Sequence, residues 1–205
     1  MSTATLTVSK NRQIASLVLN LAIVIMEIIG IGLSIQTHGV LLLKYYTEDS
    51  NILALFSCSI FAIYSIRCLK SGTYSMPKWV IIAKYIATAC LTVTFVVVLC
   101  VLIPMENSGG FKVMMFSGSM LYHHFLCPVA AIISFIFVDA TLPLTRKHTF
   151  FALIPTILYA IVSVILNVTK IMEGPYPFLK VYEQPLYTSV IWVFVILGIA
   201  YLFAW

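Results

Sequence analysis

The chain has 205 residues, of which 61% are hydrophobic and 9% charged, and its mean hydropathy is +1.06. No soluble globular domain has interior enough to hide that share of apolar side chains, so the composition specifies a membrane protein. The formal charge of +5 does not signal a nucleic-acid surface, because the cations stand singly at the edges of apolar runs and form no stripe.

A helix needs about 20 apolar residues to cross the hydrocarbon layer. On that measure the chain divides into six spans: Ile14 to Ile35, Asn51 to Leu69, Trp79 to Ile103, Met114 to Val138, Phe150 to Asn167 and Leu186 to Trp205. The first follows Lys10 and Arg12 as a secretion signal would, but it is too long and carries no small-residue cleavage site, so it reads as a span. The connections are short and leave no room for a second domain of the usual size. The expected fold is therefore all-α, a single six-helix transmembrane domain over residues 1–205.

With six spans both termini share one side. Lys10, Arg12, Arg67, Lys70, Lys78, Lys84, Arg146 and Lys147 fall on that side, against Lys44, Lys112, Lys170 and Lys180 on the other. The excess of cations on the first side predicts cytoplasmic termini. Cys58, Cys68, Cys90, Cys100 and Cys127 all lie in or beside apolar runs, where cysteine behaves as a small hydrophobe, and no CxxC or metal-ligand spacing appears. The expected partners are the bilayer and an apolar ligand, with no metal and no cofactor.

The loops before spans two, four and six open on the face opposite the termini, and they hold most of the unusual chemistry. Thr47, Asp49 or Ser50 can cap the start of span two by accepting free backbone N–H groups. Asn51 follows Thr47 by four residues and so shares its helix face, which can line a cavity. In span four His123 and His124 interrupt an apolar run, and ionisable groups at membrane depth mark functional sites. They point about 100° apart on a helix, so one can face the bundle while the other supports it or glues helices together. Pro128 removes the backbone bond to the His124 carbonyl and can kink the helix there.

Counting back about 20 residues from Asp139 starts span four near Ser119, which puts His123 roughly 6 Å below the outer end and within reach of Thr47. A start at Met114 instead separates them by roughly 14 Å. A hydroxyl beside a neutral imidazole is the minimal nucleophile and base of acyl transfer. Glu27, Asp49 and Asp139 are the carboxylates available to orient a histidine, Glu27 being an acid inside a span. Ser50, Asn51 and the free N–H groups at the start of span two can supply oxyanion donors.

Three landmarks then stand in order: Tyr46-Thr47 with Asn51 entering span two, His123 five residues before Pro128, and Tyr176-Pro177-Phe178-Leu179 before span six. In these, and over nearly its whole length, the chain resembles the androgen-induced and androgen-dependent TFPI-regulating family of six-span membrane proteins, including its bacterial relatives. The resemblance implies a membrane threonine hydrolase that cleaves fatty acid esters of hydroxy fatty acids, with Thr47 as nucleophile and His123 as base. His124, Asn51, Ser50, Glu27 and Tyr176 are the supporting candidates. The family's second histidine, three residues earlier, falls at Met120 in this chain.

Other classes make different demands. A carrier or channel predicts an internal repeat, and none relates residues 1–103 to 104–205. A two-haem cytochrome needs histidines paired on facing helices, whereas His38 lies near a loop and His148 on the other side. A lipid-binding or regulatory membrane protein is the remaining alternative to the hydrolase.

Overall fold

The computed structural model describes residues 8–105 and 110–205. Part of the connection before span four lies outside these residues. Among the described residues, six helices are long and apolar enough to cross a membrane: α1 (Lys10–His38), α2 (Tyr46–Ser71), α3 (Lys78–Met105), α4 (Gly118–Asp139), α5 (Arg146–Val168) and α6 (Leu186–Ala204). The protein is an all-α, multi-pass membrane bundle.

Local sequence sets the helix ends. Ser9 caps α1 by accepting the Arg12 N–H, and Gly39, at φ +55°, ends it where other residues are strained. Thr145 and His148 form a reciprocal capping box at the start of α5. Prolines 77 and 185 precede α3 and α6, where no helical N–H is needed. The C-terminal end of α4 is closed from outside, because the Arg12 guanidinium donates to the carbonyls of Val138 at 2.8 Å and Ala140 at 3.3 Å. A cation on the last carbonyls also opposes the negative end of the helix dipole.

α3 is the central helix and packs on α2, α4, α5 and α6, while α1 lies against α2 and α4. α6 is the most exposed span. The buried residues of α1 are Ser16, Asn20, Ile23, Glu27, Gly30 and Ser34. They recur every three or four positions and so form one stripe, all but Ile23 and Gly30 being polar. Its opposite face, with Val18, Leu21, Ile25 and Ile28, is exposed. The helix is thus polar inward and apolar outward, as lipid around a bundle requires.

The first and fifth spans begin four residues earlier than the sequence reading, at Lys10 and Arg146, and two further differences bear on the site. Helix α2 begins at Tyr46 rather than Asn51, so Thr47, Asp49 and Ser50 sit inside its first turns. The cap position is Tyr45, and no side chain bonds there. Span four begins at Gly118 rather than Met114, because Ser117 is extended and Gly118 has φ +51°. A separate short helix, Gly110–Phe116, precedes this break.

Candidate active site

The N-terminus of α2 is completed by a distant loop. The buried N–H of Thr47 donates to the phenol oxygen of Tyr176 at 3.3 Å, and the Thr47 Oγ1 lies 3.4 Å from the same oxygen. Tyr176 precedes the helical turn Pro177–Leu179, and its ring stacks on Phe178 with centroids 5.2 Å apart. Burial pushes its phenol up to about 12, so the hydroxyl stays neutral at any physiological pH. A helix end that lacks a side-chain cap is satisfied here by tertiary contact.

Helix α4 opens into a π-helical segment over Leu121–Leu126, in which the Cys127 N–H reaches back five residues to the Tyr122 carbonyl. Carried one residue further, that register would have the N–H of residue 128 on the His123 carbonyl, and Pro128 has none to give. The Asn51 amide fills the vacancy. Its Nδ2 donates to the His123 carbonyl at 3.4 Å and to the Thr47 carbonyl at 2.7 Å, so one side chain ties the backbones of the two residues together.

His123 is almost wholly buried, between two acids. Its Nδ1 lies 3.2 Å from Glu48 Oε1 and its Nε2 3.9 Å from Glu27 Oε2. Glu48 is itself held by the Ser34 hydroxyl, which donates to Oε1 at 2.7 Å. An ionised Glu48 only accepts, so the proton of a neutral His123 sits on Nδ1 and the lone pair on Nε2. That nitrogen and both Glu27 oxygens have no hydrogen-bond partner among the described residues. The close approach depends on Gly30. A Cβ there would lie 2.7 Å from the His123 Cδ2 and 2.9 Å from the Tyr122 Cβ.

His124 points elsewhere, as adjacent helical residues must. Its Nδ1 pairs with the Met114 carbonyl at 2.6 Å, and because a carbonyl only accepts, Nδ1 is the donor.

These groups surround a chamber of about 270 Å³ lined by His38, Tyr45, Thr47, Glu48, Met120, His123, His124 and Tyr176. On the far side of Thr47 lies a narrow apolar cleft of about 70 Å³ between α3, α5 and α6, lined by Val93, Val97, Phe178, Trp192 and Ile196. Thr47, Tyr176 and Leu102 belong to both walls.

The candidate residues therefore divide. Thr47, His123, His124 and Tyr176 share the chamber; Asn51 braces it and Glu27 closes it behind His123. No hydrogen bond joins Thr47 to either histidine among the described residues. Ser50 turns away: its hydroxyl donates to the Thr47 carbonyl at 2.9 Å and meets Thr94 Oγ1, also at 2.9 Å. It lines a lateral crevice with Asp49, so neither supplies an oxyanion donor nor a carboxylate to the chamber. Asp139 lies at the opposite end of the bundle, bonded to Ser16, Asn20 and Ser134.

The carboxylate that contacts Nδ1 is Glu48, which is not among the three acids the sequence offered to orient a histidine. Its signal was its place one residue after Thr47, but adjacent residues diverge on a helix, so only the position of α4 reveals the contact. No family model, curated protein or solved structure matches the chain.

Proposed function

We propose that the protein is a lipid-ester hydrolase of the membrane, with Thr47 as nucleophile, His123 as base and an acyl ester of a hydroxy fatty acid as substrate. The observation that carries this reading is the position of the Thr47 hydroxyl in the wall between an apolar cleft and a chamber containing two imidazoles. An acyl chain in the cleft would bring its ester to Thr47, and water would reach the ester from the chamber. The orientation expected from the cations puts that chamber on the non-cytoplasmic face.

In this mechanism the bound ester draws the His123 ring towards Thr47. Its Nε2, otherwise buried beside Gly30 and Glu27, then takes the hydroxyl proton as Oγ1 leaves Tyr176 and attacks the ester carbonyl. A hydrogen bond between nucleophile and base commonly tightens only around bound substrate. The Tyr176 phenol then donates to the developing oxyanion, and the imidazolium, balanced by Glu48, protonates the departing hydroxy-acid oxygen. A water deprotonated by the same imidazole releases the acyl group from Thr47. Purified protein should hydrolyse such an ester in detergent, and Thr47→Ala should abolish turnover while remaining folded and monodisperse.

A lipid-binding or regulatory role is the second reading. It is favoured by the hydrogen bonding around the chamber, in which Thr47 is held by Tyr176 and His123 by Glu48. On that reading Thr47→Ala would keep its ligand and no ester would be cleaved.

A further inference from the structure

The polar stripe of α1 extends far beyond the candidate active site. From Ser16 to Ser34 it covers about 27 Å at 1.5 Å per residue, close to the thickness of the hydrocarbon layer. The other helices meet it with ionisable groups at two levels. At the chamber end Ser34 bonds Glu48 of α2, Glu48 meets His123 of α4, and His123 faces Glu27. At the end nearest the termini Ser16 and Asn20 donate to Asp139 at 2.6 and 3.1 Å. There Lys84 of α3 lies 4.0 Å from Asp139 and donates to Cys58 of α2 at 2.9 Å.

Between the two levels sits Ile23, fully buried against Ala54, Cys58, Ala87, Leu91 and Ala131. Most of these neighbours are small. Buried polar atoms without partners gather on both sides of this plug: Asn20 Oδ1 below it, and both Glu27 oxygens, His123 Nε2 and Glu48 Oε2 above it. Buried polar groups that lack protein partners are ordinarily satisfied by water. Rows of acids and histidines inside a bundle are the usual material of proton relays.

From this arrangement we infer that the bundle contains a gated proton path between the chamber and the terminal end, with Ile23 as its apolar gate. A proton entering from the chamber is taken up on the free lone pair of His123 Nε2, making an imidazolium balanced by Glu48. Nε2 then passes it to an ionised Glu27, which returns His123 to its Nδ1–H form. When water wets the plug, Glu27 releases its proton to Asp139 and the terminal face. One proton enters and one leaves, driven by the membrane potential. An apolar constriction gates by excluding water, so a smaller residue at Ile23 opens the path. The path shares His123 and Glu48 with the proposed hydrolase but does not pass through Thr47.

The test is proton uptake by phosphatidylcholine/phosphatidylglycerol vesicles holding the purified protein and a pH-sensitive dye, with an inside-negative potassium diffusion potential imposed by valinomycin. Ile23→Ala is expected to acidify the lumen severalfold faster than wild type and protein-free vesicles. Adding Glu27→Gln, an isosteric change, should return Ile23→Ala to the protein-free rate, and Thr47→Ala should leave it fast. If Ile23→Ala does not fold, Ile23→Val takes its place, with the same order of rates expected. Uptake by the gate variant no faster than by protein-free vesicles overturns the inference, as does fast uptake that survives Glu27→Gln.

Discussion

The Tyr176 phenol oxygen accepts the N–H of Thr47 at 3.3 Å and lies 3.4 Å from its hydroxyl, although 129 positions separate the two in the chain. One side chain thereby closes the open end of α2 and fixes the residue between the apolar cleft and the histidine chamber. Replacing the phenol by Tyr176→Phe keeps the stacked ring and removes both contacts. Ester turnover, measured as kcat/KM, is expected to fall on the order of 10²-fold, the worth of one oxyanion donor. An unchanged kcat/KM would remove Tyr176 from the mechanism.

The same phenol makes an alkaline signature. Its folded value is raised from 10.0 to about 12 by burial, so the folded state holds this proton more tightly than the unfolded chain does. That contribution to stability is complete below about pH 10 and declines as the pH rises from there towards 12. Thermal unfolding in detergent across this range should be flatter for Tyr176→Phe than for wild type. Identical slopes would mean that the phenol is not buried as described.

Glu48 holds the Nδ1 side of His123 and leaves Nε2 to act as base. Glu48→Gln preserves the shape and removes the charge that balances an imidazolium. A loss of about 10²-fold in kcat with little change in KM is expected, in line with ordinary acid–base contributions. A rise in KM alone would show that Glu48 binds ligand instead.

Gly30 is the point where α1 lets His123 approach. In Gly30→Ala the new methyl overlaps the imidazole, and the cost of such overpacking is about 1–3 kcal/mol. A lower Tm is expected together with reduced turnover. Normal stability and activity would show that α4 can shift without consequence for the site.

The sequence was informative where physics is local or periodic. Hydropathy located all six spans, since lipid leaves a helix no other way to satisfy its backbone. The count back from Asp139 brought His123 to within two turns of the start of span four, and Thr47, His123 and Tyr176 do line one chamber. What the sequence concealed depends on pairings between helices. The cap of α2 comes from Tyr176 rather than from Thr47, Asp49 or Ser50. The contact on Nδ1 comes from Glu48 rather than from Asp49 or Asp139. The π register over Leu121–Leu126, and the Asn51 bond to the His123 carbonyl within it, are not visible in a count from the proline. The polar stripe of α1 was present as a spacing of three and four from Ser16 to Ser34, diluted by the isoleucines between.

The most direct test of the central proposal is labelling of the detergent-solubilised protein by a fluorophosphonate probe, which reacts only with an activated hydroxyl. Wild type, Thr47→Ala, His123→Ala and His124→Ala would be compared at matched amounts of folded protein. The account predicts that wild type labels, that Thr47→Ala and His123→Ala do not, and that His124→Ala retains labelling. Labelling that survives Thr47→Ala, or a folded wild type that never labels and leaves lipid esters intact, would contradict it.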